Sequence, residues 1–334
     1  MTHRRSTHVR MGAARLLRRL TPALACAALL LVAACAGVRS SEQTPAAGGR
    51  PPAAGALRLV ISRDYGARVL KDIVVPARAG TTVMRLLAEH SDVDTKYGGG
   101  FIQGIDGLES SFGASSADAA DWFFWVDGAM GSVGAGDVTL HGGQTVWWDY
   151  HRWAGALFIP GSLDAFPAPF ANRDMVLAAQ PAGTQAAAMG AAVTAWAKSQ
   201  GIGFHDTSQQ SYPIGADLGL RLVVGTPDRL AQDRLFGPEL SRGAAIGIFV
   251  AIDGGRLYAL HADGSRGSEL LAAALAVPDP AHTDRLSLVL IAQDAQALQR
   301  LLDGFTPAAA SAHVALGLTS AGVVPLPLAT GAGS

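Results

Sequence analysis

The aromatic residues of the chain gather in two short runs whose types and spacing suit contact with a flat ligand. Five of the six tryptophans lie between positions 122 and 153. One run is Trp122-Phe123-Phe124-Trp125-Val126 and the other is Val146-Trp147-Trp148-Asp149-Tyr150. Aromatic rings bury a large area when they stack, and they have few rotatable bonds to fix. The residues that we select as candidates for ligand contact are Tyr97, Trp122, Trp125, Trp147, Trp148 and Tyr150.

The two aromatic runs predict strands with aromatic side chains on both faces. Successive side chains of a strand point to opposite sides, so Trp122 lies on one face and Trp125 on the other. Trp147 and Trp148 divide in the same way. One face can pack on a helix, and the other face then needs a second cover, a ligand or a partner. Whether each ring belongs to a core or to a contact surface stays open at this point.

Groups that could act as catalysts are sparse. Asp121, Asp149 and His151 could serve in acid–base chemistry, but nothing in the sequence pairs them. The chain contains no Gly-x-Ser-x-Gly, no His-Glu-x-x-His and no phosphate loop that ends in Gly-Lys-Ser or Gly-Lys-Thr. His141 and His151 have no third ligand at a recognisable spacing, so no metal site is expected. We predict no catalytic residues and no enzymatic activity; the alternative is an unrecognised hydrolase.

The first 34 residues have the pattern of an export signal. Six arginines precede an uncharged run at residues 20–34, and no acidic residue occurs among them. This is the order of an n-region and an h-region. The run is about fifteen residues long, whereas a membrane-spanning helix needs about twenty. We therefore predict a cleaved signal peptide at residues 1–34. The pairs Arg4-Arg5 and Arg18-Arg19 leave both general secretion and twin-arginine export open.

The end of this segment, Leu31-Val32-Ala33-Ala34-Cys35, resembles the lipobox of bacterial lipoprotein signals. The resemblance implies that the Cys35 thiol is lipidated, that the chain is cut before it, and that the protein is held on the extracytoplasmic side of the cell membrane. The only other cysteine, Cys26, would leave with the signal, so no internal disulfide is expected. Loss of six of the 26 basic residues leaves 20 against 27 acidic residues, a formal charge of −7. A nucleic-acid partner is therefore not expected.

The pattern of apolar residues predicts an α+β protein with two domains. Residues 35–55 are poor in large apolar side chains and predict a flexible tether. Residues 56–157 predict a first domain that contains a hairpin at 57–75, a helix at 83–90 and the aromatic strands. Residues 158–172, with three prolines, predict a linker. Residues 173–334 predict an α/β domain of unknown role. Its expected strands are 175–179, 220–225, 246–252, 256–261 and 286–291, and its expected helices are 184–200 and one that ends at Gly304.

Several motifs of the first predicted domain occur in a recognisable order: residues 82–87, Tyr97-Gly98-Gly99-Gly100-Phe101-Ile102, Ile105-Asp106-Gly107, residues 122–128, and Gly143 with residues 146–150. With these motifs, residues 57–153 resemble the transcobalamin-like C-terminal domain family, a bacterial family related to the β-domain of transcobalamin and intrinsic factor. Asp127 stands where the family has Asn, and Gln144 stands where it has Asp; both residues keep turn chemistry. The resemblance implies a β-grasp-like fold and makes cobalamin a candidate ligand.

Together, the export signal and the resemblance predict a membrane-anchored lipoprotein that binds a small molecule, with a corrinoid as the candidate, and that passes it to a transporter. In the vitamin carriers the β-domain closes over one face of the corrinoid and a helical barrel supplies the other face. No such barrel is recognisable in this sequence. The alternative is a cell-envelope module that docks protein or glycan through the aromatic face and has no soluble ligand.

Overall fold

A computed structural model describes residues 44–45, 49–96, 101–111, 118–171, 174–179, 184–206, 220–280 and 282–329. Cys35 and Tyr97 lie outside the described residues. The fold is mixed α+β, with many strands in sheets and few helices.

The strands, in chain order, are β1 (Thr44–Pro45), β2 (Ala56–Arg63), β3 (Arg68–Pro76), β4 (Val93–Lys96), β5 (Phe101–Ile105), β6 (Leu108–Glu109), β7 (Ala120–Val126), β8 (Ala129–Met130), β9 (Thr145–Arg152), β10 (Asp174–Ala179), β11 (Gly203–Asp206), β12 (Leu220–Gly225), β13 (Val250–Asp253), β14 (Arg256–Leu260), β15 (Arg266–Leu270), β16 (Ala272–Asp279), β17 (His282–Ala292), β18 (Ala315–Leu318) and β19 (Val323–Leu326). The helices are α1 (Val83–His90), α2 (Thr184–Ser199), α3 (Pro227–Ala231), α4 (Phe236–Arg242), α5 (Ala295–Gly304) and α6 (Pro307–Ala310), and a 3-10 turn covers Gly243–Ile246.

The first sheet has the strand order β1-β3-β2-β9-β7-β8. The predicted hairpin is confirmed, since β2 and β3 pair antiparallel. Both predicted aromatic strands are also confirmed: they are β7 and β9, which pair antiparallel. At the centre of the sheet, β9 pairs in parallel with β2. A separate small sheet has the order β4-β5-β6.

Helix α1 covers one face of the first sheet. It begins after Thr82, whose Oγ1 accepts a hydrogen bond from the backbone N–H of Arg85 at 3.2 Å. This cap satisfies one of the N–H groups that the first turn of a helix leaves free. The predicted apolar face is confirmed, and its buried side chains are Val83, Leu86 and Leu87.

The largest sheet has the order β11-β10-β12-β17-β16-β18-β19. Its first four strands are parallel and the remaining pairs are antiparallel. Parallel neighbours need a crossover connection, and α2 provides it between β10 and β11. The predicted strands at 175–179, 220–225 and 286–291 and both predicted helices are confirmed.

A third sheet, β13-β14-β15, begins with the predicted hairpin. Its turn residues Gly254 and Gly255 both have positive φ, as a tight hairpin turn requires. The strand predicted at 246–252 is wrong in its first half, because a 3-10 turn ends at Ile246, a turn follows at Gly247, and β13 begins only at Val250. Gly247 follows this turn with φ 73°, and a Cβ on it would lie 2.7 Å from Ile159.

The segment predicted as a linker contributes to the hydrophobic cores instead of crossing the surface. Its buried apolar side chains are Ile159, Leu163, Ala165, Phe166 and Phe170. The prolines suggested a linker, but most of the apolar residues among them have buried side chains. Residues 41–334 form one compact unit, and the division into two domains stays a prediction. Part of the predicted tether also joins the fold, since Thr44 and Pro45 pair with β3.

Candidate functional site

The tryptophans of the two aromatic strands are buried. Trp125 and Trp147 are cross-strand neighbours, and their rings stack with centroids 4.5 Å apart. Neither has measurable exposure, while Trp122 and Trp148 are 8 % and 2 % exposed. Tyr150 is half-buried. The predicted division between two faces is confirmed, because Trp122 and Trp148 lie in the core under α1 and the other two tryptophans lie in a different core.

The second cover that the sequence analysis required is the second half of the chain itself. Trp125 and Trp147 share a core with Phe236, Phe249 and Leu257, and the indole Nε1 of Trp125 donates to the carbonyl oxygen of Ile159 at 2.8 Å. The aromatic face is therefore not an exposed contact surface. Burial of so much apolar area on the chain's own residues is favourable without a ligand. That these residues contact a ligand stays a prediction.

A buried polar network lies in the carboxyl-terminal half of β9. The carboxylate of Asp149 accepts hydrogen bonds from Ser62 Oγ at 2.5 Å and from the backbone N–H groups of Tyr65 and Gly66 at 2.9 Å and 3.0 Å. His151 Nδ1 lies 2.9 Å from Asp149 Oδ1, the oxygen that also accepts from Tyr65. The sequence analysis left Asp149 and His151 unpaired, although their spacing of two on a strand places both side chains on one face.

This network does not have the order of a catalytic triad. The Ser62 hydroxyl donates to Asp149 and accepts from Trp147 Nε1 at 2.7 Å, so it is not aimed at His151. The imidazole of His151 is stacked between the rings of Tyr65 and Phe123, at 4.3 Å and 4.6 Å. Burial, and then the charge of Asp149, raise the pKa of Tyr65. The arrangement fixes the end of β9 against the turn after β2.

Two further polar contacts outside this network involve buried side chains. Arg58 is fully buried and binds Asp72 through two hydrogen bonds of 2.8 Å and 2.7 Å. Asp164 is 1 % exposed, accepts from Ser162 Oγ at 2.5 Å, and has its Oδ2 without a partner among the described residues. Burial raises the pKa of Asp164 to about 7. The carboxyl is therefore protonated over much of the acidic range.

An open cleft of about 570 Å³ lies in the second half of the chain. It is bordered by the end of α4, the 3-10 turn, β13 and the start of β15, and Gly155 reaches it from the segment after β9. Leu240, Val250 and Leu260 border it, but each of them is at most 6 % exposed. The volume falls in the range of small-molecule sites, which typically combine apolar walls with a few polar groups.

The cleft also has a charged lining, formed by Arg242, Asp263 and Arg266. The carboxylate of Asp263 accepts from the hydroxyl and the backbone N–H of Ser265, at 2.6 Å and 2.9 Å. These two hydrogen bonds lower the pKa of Asp263. The sequence analysis missed this site because its residues lie in several separate elements of the chain. The only sequence signal near them was the glycines, which indicate turns.

Both arginines of the cleft are held in place by neighbours. Arg242 Nη1 lies 3.1 Å from a carboxylate oxygen of Glu239, one helical turn earlier. Arg266 Nη1 donates to Asp253 at 2.9 Å, and its guanidinium lies over the Tyr258 ring, 4.4 Å from the centroid. Each guanidinium makes no further hydrogen bond within the described part of the chain. Their remaining N–H groups can bind a ligand.

Residues 80–152 match a domain of unknown function, DUF4430. The matched segment contains α1 and both aromatic strands, but none of the residues that line the cleft. No curated protein matches the chain. Over the described ranges, no cluster of three or more His, Cys, Asp or Glu side chains could hold a metal ion. No described helix is long and apolar enough to cross a membrane.

Proposed function

We propose that the chain is an exported lipoprotein, anchored to the cell membrane through Cys35, and that it binds a small molecule in the cleft between α4 and the third sheet. The observation that carries the binding function is the cleft itself, an open depression of about 570 Å³ with Arg242, Asp263 and Arg266 in its lining. The anchor is carried by the sequence that ends at Cys35. An anchored binding protein keeps its ligand near the membrane, where a transporter can receive it.

The anchor is tested by expressing the full chain in a bacterial host that is fed an alkyne-labelled fatty acid. We expect label in the membrane fraction from the wild type, no label from Cys35→Ala, and label from the matched control Cys26→Ala. Label that persists in Cys35→Ala would contradict anchoring through this residue.

A corrinoid is the ligand that the transcobalamin-like resemblance favours. The hairpin β2–β3, the helix α1 on one face and the parallel pairing of β2 with β9 support the β-grasp-like arrangement that the resemblance implies. Equilibrium dialysis with cobinamide and with cobalamin tests this version, because both are coloured and their retention is read by absorbance. Failure of the protein to retain either compound at micromolar concentration would reject the corrinoid and leave the cleft open to other ligands.

An envelope interaction module is the second candidate, and two exposed apolar residues favour it. Leu157 and Phe158 are 59 % and 53 % exposed, close in sequence to the cleft residue Gly155. Large exposed apolar side chains that are adjacent mark contact surfaces more often than isolated ones do. Crosslinking in intact cells tests this function. It predicts that crosslinked bands disappear when Leu157 and Phe158 are both changed to Ser and persist in the control Val133→Ser.

A further inference from the structure

Three buried side chains each have one polar atom without a hydrogen-bond partner in the part of the chain that the structure describes. The atoms are Nη1 of Arg58, Oγ1 of Thr145 and Oδ2 of Asp164. Arg58 and Thr145 have no measurable exposure, and Asp164 is 1 % exposed. Native proteins rarely leave such atoms unpaired, because a buried polar group loses its hydrogen bonds to bulk water and regains none.

Arg58 and Thr145 are neighbours on one face of the first sheet. They are paired positions of the parallel strands β2 and β9, and paired side chains point to the same side of a sheet. Val60 and Trp147, two positions further along each strand, share this face and belong to the core that the second half of the chain covers.

Asp164 reaches Thr145 through a short series of contacts. Ser162 Oγ donates to Asp164 Oδ1 at 2.5 Å, and the backbone N–H of Ser162 donates to the carbonyl oxygen of Gly128 at 2.8 Å. The residue before Gly128 is Asp127, whose Oδ1 accepts from the backbone N–H of Thr145 at 2.9 Å. The segment after β9 therefore lies next to the start of β9.

A second series of contacts joins the same segment to Arg58. Nη2 of Arg58 donates to Ser311 Oγ at 2.7 Å. Two residues later, the carbonyl oxygen of His313 accepts from the backbone N–H of Leu163 at 3.0 Å. The two series close into a ring that runs through Thr145, Arg58 and Asp164, so the three unpartnered atoms lie in one buried region.

Electrostatic interactions agree with this placement. Burial is the main cause that raises the pKa of Asp164 to about 7, and among the smaller contributions the charge of Asp127 raises this pKa while the charge of Arg58 lowers it. Both charged groups therefore act on the carboxyl at short range.

The charges of this region favour a neutral ligand. The guanidinium of Arg58 is already neutralised by the carboxylate of Asp72, 2.7 Å away, and Asp127 adds a negative charge nearby. An inorganic anion would therefore find no net positive charge, and a cation would lie beside the guanidinium.

The hydrogen-bonding capacity of the three atoms selects water among neutral ligands. Arg58 Nη1 only donates, Thr145 Oγ1 donates or accepts, and Asp164 Oδ2 accepts when ionised and donates when protonated. A water molecule donates and accepts at the same time, so it can serve both states of the carboxyl. Buried water molecules typically make about three hydrogen bonds to polar groups that otherwise lack a partner.

We propose that Arg58 Nη1, Thr145 Oγ1 and Asp164 Oδ2 form a binding site for one buried water molecule, which connects β2 and β9 to the segment after β9. The site is separate from the cleft and does not depend on what the cleft binds.

The direct test is a crystal structure of the full chain at a resolution that shows ordered water, together with a crystal soaked in bromide. We expect density for one water molecule within about 3.2 Å of each of the three atoms, and no anomalous signal from bromide at this position. Three results would overturn the inference: a bromide peak at the site, no density there, or a direct hydrogen bond among the three atoms in place of the water.

A double-variant cycle tests the same connection in solution. Thr145→Val keeps the shape of the side chain and removes Oγ1, and Asp164→Ala removes Oδ2. Because one water molecule binds both atoms, the second substitution should cost less once the first has been made. In urea, the unfolding equilibrium constant of the double variant should rise at least about fivefold less than the product of the two single effects.

Thr194→Val is the matched control, because it removes a threonine hydroxyl that is bonded within its own helix, to the carbonyl oxygen of Gly190 at 2.7 Å. Its effect should simply multiply with that of Asp164→Ala. If the effects of Thr145→Val and Asp164→Ala also multiply, the two residues share no water and the inference is wrong.

Discussion

Asp149 and His151 lie two residues apart on β9, and Nδ1 of His151 is within hydrogen-bonding distance of Oδ1 of Asp149, at 2.9 Å. The same carboxylate also accepts from a hydroxyl and two backbone N–H groups, so it holds the turn after β2 against β9.

Replacement of Asp149 with Ala should strongly destabilise the protein. The variant would leave several buried donors without an acceptor, and each such group costs about 1–3 kcal/mol. We expect the free energy of unfolding in urea to fall by at least about 3 kcal/mol. The control Asp94→Ala removes an exposed carboxylate of β4 and should change it by less than about 0.5 kcal/mol. Equal stability of the two variants would contradict the role given to the network.

The buried carboxyl of Asp164 predicts a pH dependence of stability. Its pKa rises on folding from 3.8 to about 7, so the folded state keeps a proton that the unfolded state releases between these pH values. The stabilisation is complete below the unfolded pKa and is lost as the pH rises through the folded one. The slope is at most about 1.4 kcal/mol per pH unit.

The variant Asp164→Asn isolates this effect, since an amide oxygen can still accept from Ser162 and does not ionise. Urea unfolding of both proteins from about pH 4 to about pH 8 should show similar stability at the acid end and a more stable variant at the alkaline end. Comparison with the wild type cancels the opposite contribution of His313, whose pKa is lowered by burial. A constant difference across the range would contradict a raised pKa for Asp164.

Burial of the aromatic strands predicts poor access of solvent to the tryptophans. Five of the six tryptophans are buried, and Trp153 is half-buried. Acrylamide should therefore quench only a small part of the fluorescence of the folded protein, and Trp153→Phe should remove most of that part. Quenching as efficient as that of the urea-unfolded chain would mean that the aromatic face is exposed after all.

Gly247 tests the contact between the 3-10 turn and the segment after β9. It has φ 73°, and a Cβ would lie 2.7 Å from Ile159. Gly247→Ala should lower the free energy of unfolding by about 1–3 kcal/mol, from backbone strain and overpacking. Gly136→Ala is the matched control, because nothing lies within 4 Å of its added Cβ. Equal melting temperatures for the two variants would argue against this packing.

Local structure could be predicted from the sequence where the spacing of apolar residues or a tight turn determines the element. The helix at 83–90, the aromatic strands and the hairpin at Gly254-Gly255 follow from spacing and turn chemistry alone. It failed where tertiary contacts decide the outcome. Residues 246–249 are apolar enough for a strand, but the left-handed Gly247 delays β13 to Val250. The prolines at 160–169 suggested a linker, although the neighbouring Phe166 and Phe170 fill a core.

The candidate site was less accessible to sequence reasoning than the fold. Alternation placed Trp122 and Trp125 on opposite faces correctly, but it could not reveal that the second half of the chain covers Trp125. The cleft brings together α4, β13 and β15, and its arginines are 24 positions apart in a stretch without a recognisable motif. Such proximity depends on sheet topology, which periodicity does not encode.

Occupancy of the cleft is the central claim, and native mass spectrometry tests it most directly. The purified full chain is incubated with a small-molecule extract of bacterial envelopes, and retained masses are recorded. Ala245 is an exposed residue of the cleft lining, so Ala245→Trp should fill the cleft; Ala231→Trp places the same side chain at an exposed position of α3 outside it. We predict at least one retained small molecule on the wild type and on Ala231→Trp and none on Ala245→Trp. Equal retention by all three proteins, or none by any, would contradict a ligand site in this cleft.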